Sequence, residues 1–237
     1  MEYVILNGWG FDSAHPSTLE NPLAAPLLEA QRHVERLGKS AWINVVSGFW
    51  YEFSLGGTID RFGFDFEGRK ARIFDGGEAK ANTSTWEQIG RAVAGLLSLK
   101  EKPDGADGSP SLSDYTNKCV YVSSFFISQN DMFKSVLRVT GTKESDWDVS
   151  HEKAADRFRI GSELWEKGDA AGLAQLLYAK EFIPGPDGEL AMAFGRRNEL
   201  LNSVLGLPEE DLDERTKVAI EIAGEARISG YTPPEKH

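Results

Sequence analysis

Apolar runs separated by polar, glycine-bearing breaks set the rhythm of the first part of the chain. Val4-Ile5-Leu6 is a short continuous apolar run followed by Asn7, Gly8 and Gly10. That is the pattern of a buried parallel strand opening into a loop. From Leu23 the spacing becomes helical, with Leu23, Leu27, Ala30, Val34 and Leu37 on one face and Gly38 placed as a stop. "AWINVV", 41–46, returns to a β-branched apolar run. Strand, loop, helix and strand form one βαβ unit, so residues 4–6 and 41–46 are expected to pair in parallel.

The pattern then changes. "SGFWYEFSLGG" reads as an unusually aromatic loop after the second strand, and "FGFDFEGRKARIFDGG" alternates about Glu67-Gly68 as a hairpin. "STWEQIGRAVAGLLSL" is a strong helix, with a Ser84–Glu87 capping box and a stripe of Trp86, Ile89, Val93 and Leu96 or Leu97. Residues 101–114 read as an exposed loop and 119–128 as one further strand. Ser128 and Asp131 cap a helix that runs through Val139 and stops at Gly141. From Ser150 the reading is helical, with "GYTPPEKH" as a frayed tail. The expected organisation is an α/β portion over 1–149, with a substrate-side hairpin, and a helical C-terminal extension over 150–237 packed on it.

Composition narrows the function classes. The chain has 237 residues, is 41% hydrophobic and carries a net charge of −11. That charge argues against nucleic acid as a partner, because phosphate neutralisation needs a basic face. No apolar stretch approaches membrane-spanning length, and the start of the chain lacks signal-peptide character, so no membrane association is expected. The single cysteine, Cys119, excludes an intramolecular disulfide and fits a reducing, cytoplasmic setting. It lies in an apolar strand, as a buried thiol would. His15, His33 and His151 are scattered without ligand spacing, so no metal site is expected. Asp12 with His15 reads as a local turn pair, and no nucleophile–base arrangement is recognisable.

A dinucleotide fingerprint must follow a strand and open a helix. Gly56-Gly57 and Gly76-Gly77 have neither the spacing nor that context. The segments "NGWGFDSAHP", "SAWINVVSGFWYEFSL", "IFDGGEAKANTSTWEQIGRAVAGLLSL" and "VYVSSFFISQNDMFKSVLRVTGT", in this order, resemble the NmrA-like, isoflavone reductase-like family of atypical short-chain dehydrogenases. Only the later portion of the family has a counterpart here; its opening strand and GxxGxxG phosphate loop do not. The resemblance implies a partial Rossmann-like parallel sheet flanked by helices, with Val4–Leu6 as a mid-sheet strand whose loop faces nicotinamide and substrate. It also implies an incomplete chain, inactive alone, whose exposed sheet edge could take a protein partner or self-associate.

The same resemblance assigns residues. Asn7, Gly8 and Gly10 fall at the cofactor-facing loop, although Leu6-Asn7-Gly8 stands where the family has a proline, a small residue and an acid before the aromatic-glycine pair. Trp9, Phe11, Asp12, Trp50, Tyr51 and Phe53 fall where the family walls its substrate cleft, with Lys80, Asn82 and Thr83 in a bordering loop. Gln31 stands at the position of the family's catalytic lysine and cannot supply a titrating cation. The implied function is that of an NAD(P)H-dependent reductase acting on a small aromatic molecule. NADP or NAD is the family cofactor, and neither is expected to bind this chain alone, for want of a phosphate loop. The alternative is a non-catalytic, dinucleotide-sensing or partner-binding regulator.

Overall fold

In a computed structural model, residues 3–103, 108–185, 188–196 and 198–224 are described. The predicted tail at 230–237 lies outside them. Along the chain the elements are β1 (Tyr3–Ile5), α1 (Ala25–Leu37), β2 (Ala41–Val46), β3 (Phe49–Trp50), α2 (Tyr51–Leu55), β4 (Phe64–Asp65), β5 (Lys70–Phe74) and β6 (Lys80–Ser84). There follow α3 (Trp86–Leu97), β7 (Lys118–Tyr121), β8 (Phe125–Ser128), α4 (Gln129–Thr140), β9 (Asp148–Glu152), α5 (Ala154–Glu166), α6 (Ala171–Lys180) and α7 (Leu212–Gly224). Two units emerge, each assembled from three stretches of chain: 1–50, 81–126 and 184–210 in the first; 51–80, 127–183 and 211–237 in the second.

The first unit is built on the expected parallel pair. β1 pairs with β2 from Tyr3↔Ala41 to Ile5↔Ile43, and β2 pairs in parallel with β7 from Ile43↔Lys118 to Val46↔Tyr121. Period-two alternation divides the side chains between two faces. Ile43, Val45, Val120 and Val122 pack against Ala92 and Leu96 of α3. Leu6 and Trp42 pack on the other face against Leu27 of α1. α1 ends at Gly38, whose φ of 60° suits a residue without Cβ. Its buried face differs from the predicted stripe: Leu27 and Gln31 are inside, while Leu23 and Leu37 are exposed.

Several polar stretches fold otherwise than their pattern predicts. "KANTS" is strand β6, not a loop, and β3 pairs with it in parallel through Phe49↔Thr83 and Trp50↔Ser84. The aromatic segment after β2 is therefore β3 followed by α2, not a loop. Residues 119–128 are two strands in different sheets, β7 and β8. The cap of α3 is Thr85, which accepts from the Gln88 N–H, rather than Ser84. Its buried line is Gln88, Ala92 and Leu96, with Trp86 and Leu97 exposed. Gln88 can sit inside because its Nε2 donates to the Pro208 carbonyl at 2.7 Å. The 184–210 stretch is tied in by backbone and side chains: Leu201 N–H to the Tyr121 carbonyl at 2.8 Å, and Asn202 exchanging two hydrogen bonds with the Ser123 backbone.

In the second unit the predicted hairpin forms, Phe64 and Asp65 pairing antiparallel with Ala71 and Lys70. β9 then pairs in parallel with β5 over Lys70–Phe74, so residues 148–152 are a strand before the helices begin. The capping box at Ser128–Asp131 is present, and α4 stops at Gly141. Arg157 on α5 is the largest fully buried side chain, 1% exposed. Its guanidinium donates to Glu152 at 3.0 Å, to the Ile59 carbonyl at 3.1 Å and to Asp60 at 3.3 Å. One cation thus ties helix, strand and loop together. Removing one partner of a buried charge network leaves the others desolvated without compensation. Arg157→Leu should therefore lower the stability of the second unit by about 3 kcal/mol, read as a reduced urea midpoint.

Candidate functional site

The loop that leaves β1 is held shut by its own backbone. Gly8 N–H bonds to the Leu6 carbonyl at 2.9 Å, and Phe11 N–H to the Gly8 carbonyl at 2.9 Å. Gly10 N–H also bonds to the Gly8 carbonyl. β2 anchors the loop from beneath: Ser47 donates through both N–H and Oγ to the Trp9 carbonyl, and Asn44 Nδ2 donates to the Phe11 carbonyl at 3.2 Å. At Gly8 a Cβ would strike Asn44 Oδ1 and both methyls of Leu27, so only glycine fits.

Above this loop lies a cleft of about 190 Å³. It gathers Asn7, Gly8, Trp9, Gly10, Phe11 and Trp50, with Leu23, Pro26 and Leu27 of the α1 region closing it. A dry cavity of about 150 Å³ is enough for benzene, so this one has room for an aromatic ring and not for a dinucleotide. It opens at the carboxyl ends of β1 and β2, where open parallel sheets place ligands.

The other predicted residues are distributed differently. Gln31 lines a separate groove of about 410 Å³ together with Ser13, Trp42, Asn117, Cys119 and Tyr121. Its side chain is largely buried, and Nε2 donates to Ser13 Oγ at 2.6 Å. Ser13 Oγ in turn sits 3.2 Å from Cys119 Sγ and accepts from Asn44 Nδ2 at 3.3 Å. Burial pushes the Cys119 thiol up, outweighing the hydrogen bonds from Ser13 and Asn44, so the group stays protonated at neutral pH. Asp12 is buried, and its Oδ1 accepts from Ala14 N–H and from the Tyr121 hydroxyl, both at 3.1 Å. His15 Nδ1 pairs with Ser17 Oγ at 2.5 Å, while the Asp12 backbone carbonyl accepts the His15 N–H at 3.0 Å.

Tyr51 and Phe53 lie in the second unit. Tyr51 has no exposed surface, and its hydroxyl meets Thr216 Oγ1 at 2.7 Å. Burial drives its phenol well above the ordinary range, as befits an anchor of α2 on α7. Phe53 lies under the Arg61 guanidinium, 3.5 Å from ring centre to the central carbon. Asn82 and Thr83 are buried strand residues, and Lys80 pairs with Asp131 at 3.6 Å. Sequence reasoning missed Asn44, Ser13 and Tyr121. Only Asn44 carried a signal, a lone amide in the middle of the apolar run "AWINVV". Among the described residues no cluster of histidine, cysteine or carboxylate could hold a metal, and no helix is long and apolar enough to cross a membrane.

No family model matches the chain. A curated oxidoreductase of Aspergillus flavus, aprR, is 24% identical over 173 residues, 73% of this chain and 51% of that protein. The chain thus spans about half the length of that relative. Among solved structures, leucoanthocyanidin reductase bound to NADPH, from Vitis vinifera, matches with a TM-score of 0.61 at 13% identity, covering 94% of this chain and 68% of that one. An isoflavone reductase matches at 0.59 with 12% identity, covering 91% and 65%. NmrA, a negative transcriptional regulator, matches at 0.51 with 14% identity, covering 86% and 59%. The chain therefore has the fold of the isoflavone reductase-like and NmrA-like proteins, an α/β Rossmann-like architecture, as the sequence resemblance implied.

Because Gly8 touches Asn44 and Leu27 at once, Gly8→Ala should push the loop off β2. The expected cost is about 2 kcal/mol in urea unfolding, with loss of amide-exchange protection at Gly10 and Phe11.

Proposed function

We propose that this chain supplies the ligand-binding part of an NAD(P)H-dependent reductase of small aromatic molecules. The observation that carries the reading is the ring-sized cleft walled by Trp9, Phe11 and Trp50 at the carboxyl ends of β1 and β2. Trp9 and Trp50 bury an aromatic ring, and the Gly8–Gly10 backbone lets it approach without side-chain obstruction. A solved neighbour carries NADPH, and this fold makes the same cofactor class the one to test. Residues 7–11 fit its ring end and do not fit its pyrophosphate. A pyrophosphate is held by free N–H groups at a helix N-terminus, whereas here the N–H groups of Gly8, Gly10 and Phe11 are spent within the loop. A reducing, cytosolic setting belongs to the same reading, since the lone Cys119 has no intramolecular disulfide partner.

A second reading is a non-catalytic sensor or regulator. Gln31 favours it: an amide tied to Ser13 orients a neighbour but exchanges no proton. The likeness to NmrA points the same way.

Two measurements test these readings. Quenching of tryptophan fluorescence by an isoflavone should be saturable, and Trp50→Ala should weaken it about tenfold while shifting the urea midpoint little. Equal affinity in wild type and variant would remove the aromatic-ligand reading. Calorimetric titration of the chain with NADPH should give no micromolar binding. A micromolar constant would instead require a phosphate site elsewhere on the chain.

A further inference from the structure

Several arginines of this protein, buried and exposed alike, are matched to carboxylates. Arg72 pairs with Glu152, Arg91 with Glu87 and Glu210, Arg138 with Asp213, and Arg157 with Glu152 and Asp60. Arg61, in the second unit, is different. Its half-buried guanidinium lies on the Phe53 ring at 3.5 Å, and Nη1 donates to the Phe53 carbonyl at 2.6 Å. Gly57 packs against its stem and the Nη1 side, where any Cβ would collide with Arg61 Cδ. Nε–H and Nη2 remain, and among the described residues neither has a hydrogen-bond acceptor and Arg61 has no carboxylate partner. The Tyr178 phenol is the one group whose charge favours the Arg61 cation, against a larger loss from burial. That phenol is itself tied to Ser54 at 2.8 Å and pushed up to about 12, so it stays neutral and offers no counter-charge at neutral pH.

An arginine fixed by an aromatic face and a carbonyl, with its side-on Nε/Nη2 fork open, has the geometry that recognises planar oxyanions in two parallel hydrogen bonds. The cost of holding the cation half out of water is offset when an anion occupies that fork. The excess of negative charge, −11 overall, makes the missing partner a local feature and not a shortage of acids. We propose that Arg61 is an oxyanion-binding residue of the second unit, taking the carboxylate or phosphate group of a small-molecule ligand through Nε–H and Nη2. This assignment is independent of the aromatic cleft of the first unit.

The test follows arginine Nε–H signals of the full chain by heteronuclear NMR during titration with sodium benzoate and, separately, with inorganic phosphate. The Arg61 signal is identified by its loss in Arg61→Lys. It should move saturably with at least one anion, while the exposed Arg32 and Arg159 signals move only as they do with sodium chloride. Saturation with benzoate alone assigns a carboxylate ligand, and saturation with phosphate alone a phosphate ligand. Arg61→Lys keeps the charge and removes the fork, so it should bind the same anion about tenfold more weakly, with an unchanged thermal midpoint. If the Arg61 signal responds to neither anion beyond the chloride control, or if Arg61→Lys binds equally well, Arg61 is a structural cation on Phe53 and the proposal fails.

Discussion

The first unit depends on β2 being paired on both edges and covered on both faces. Each of its residues is committed to one side by the pleat, so Ile43 and Val45 face α3 while Trp42 and Asn44 face α1. A shift of one residue against β1 or β7 would exchange these sets and bury Asn44 among valines. The register therefore carries more than stability. It delivers the Asn44 amide to the Phe11 carbonyl and Ser47 to the Trp9 carbonyl, the two anchors that give the loop its shape. The aromatic cleft exists because a strand interior hands two polar groups to a glycine-bearing loop.

The groups presented around that loop are almost all uncharged. Gln31, Ser13, Asn44 and the protonated Cys119 form one chain of hydrogen bonds, and Asp12 is turned inward onto Tyr121 and Ala14. Proton transfer needs a group whose pKa lies near the working pH. An amide–hydroxyl–thiol chain with its thiol pushed up by burial has none. In the second unit the half-buried Arg61 guanidinium lies on the Phe53 ring. The two units thus offer chemically distinct features, an apolar ring-sized cleft in the first and, in the second, a guanidinium stacked on an aromatic ring.

The parallel pair, the hairpin, the α4 capping box and the glycine stop of α1 were legible because each is written in neighbouring residues. What escaped was written across long separations. "KANTS" has the composition of a loop, yet it is a strand with Thr83 Oγ1 donating to the Phe49 carbonyl and Ser84 Oγ to the Ser47 carbonyl at 2.7 Å. Asn82 Oδ1 accepts from the Gly195 N–H at 2.9 Å, a partner more than a hundred positions away. Polar residues satisfied by distant backbone cannot be told from solvated ones by periodicity. The same reason explains Gln88 inside α3 and the break at Ser123 and Ser124, whose hydroxyls bond to the Phe125 carbonyl at 2.8 Å and to Glu210 at 2.6 Å. For the site, Trp9, Phe11 and Trp50 were named through the family resemblance, and they line one cleft in the first unit. Tyr51 was placed on the same list by the family resemblance, and its hydroxyl meets Thr216 Oγ1.

This buried polar matrix has a consequence for how Trp50 is held. Apolar packing tolerates rearrangement at modest cost, because many arrangements bury similar area. A hydrogen-bonded matrix in a low dielectric does not, since each displaced group loses its partner outright. β3, which carries Trp50, is fixed to β6 by backbone pairing at Trp50↔Ser84 and by the Thr83 hydroxyl on the Phe49 carbonyl. β6 runs into Thr85, whose hydroxyl lies 2.8 Å from one oxygen of Glu210 and 3.0 Å from the other, and the Glu210 side chain is only 3% exposed. That carboxylate also accepts from Ser124 and Arg91, so one buried anion stabilises the turn after β6, the start of β8 and the exposed face of α3. The backbone beneath the cleft's aromatic wall is accordingly rigid in the direction set by β6. The Trp9 and Trp50 side chains are each half-buried, Trp9 resting on the interior shared with α3 while Trp42 packs against Leu27 of α1.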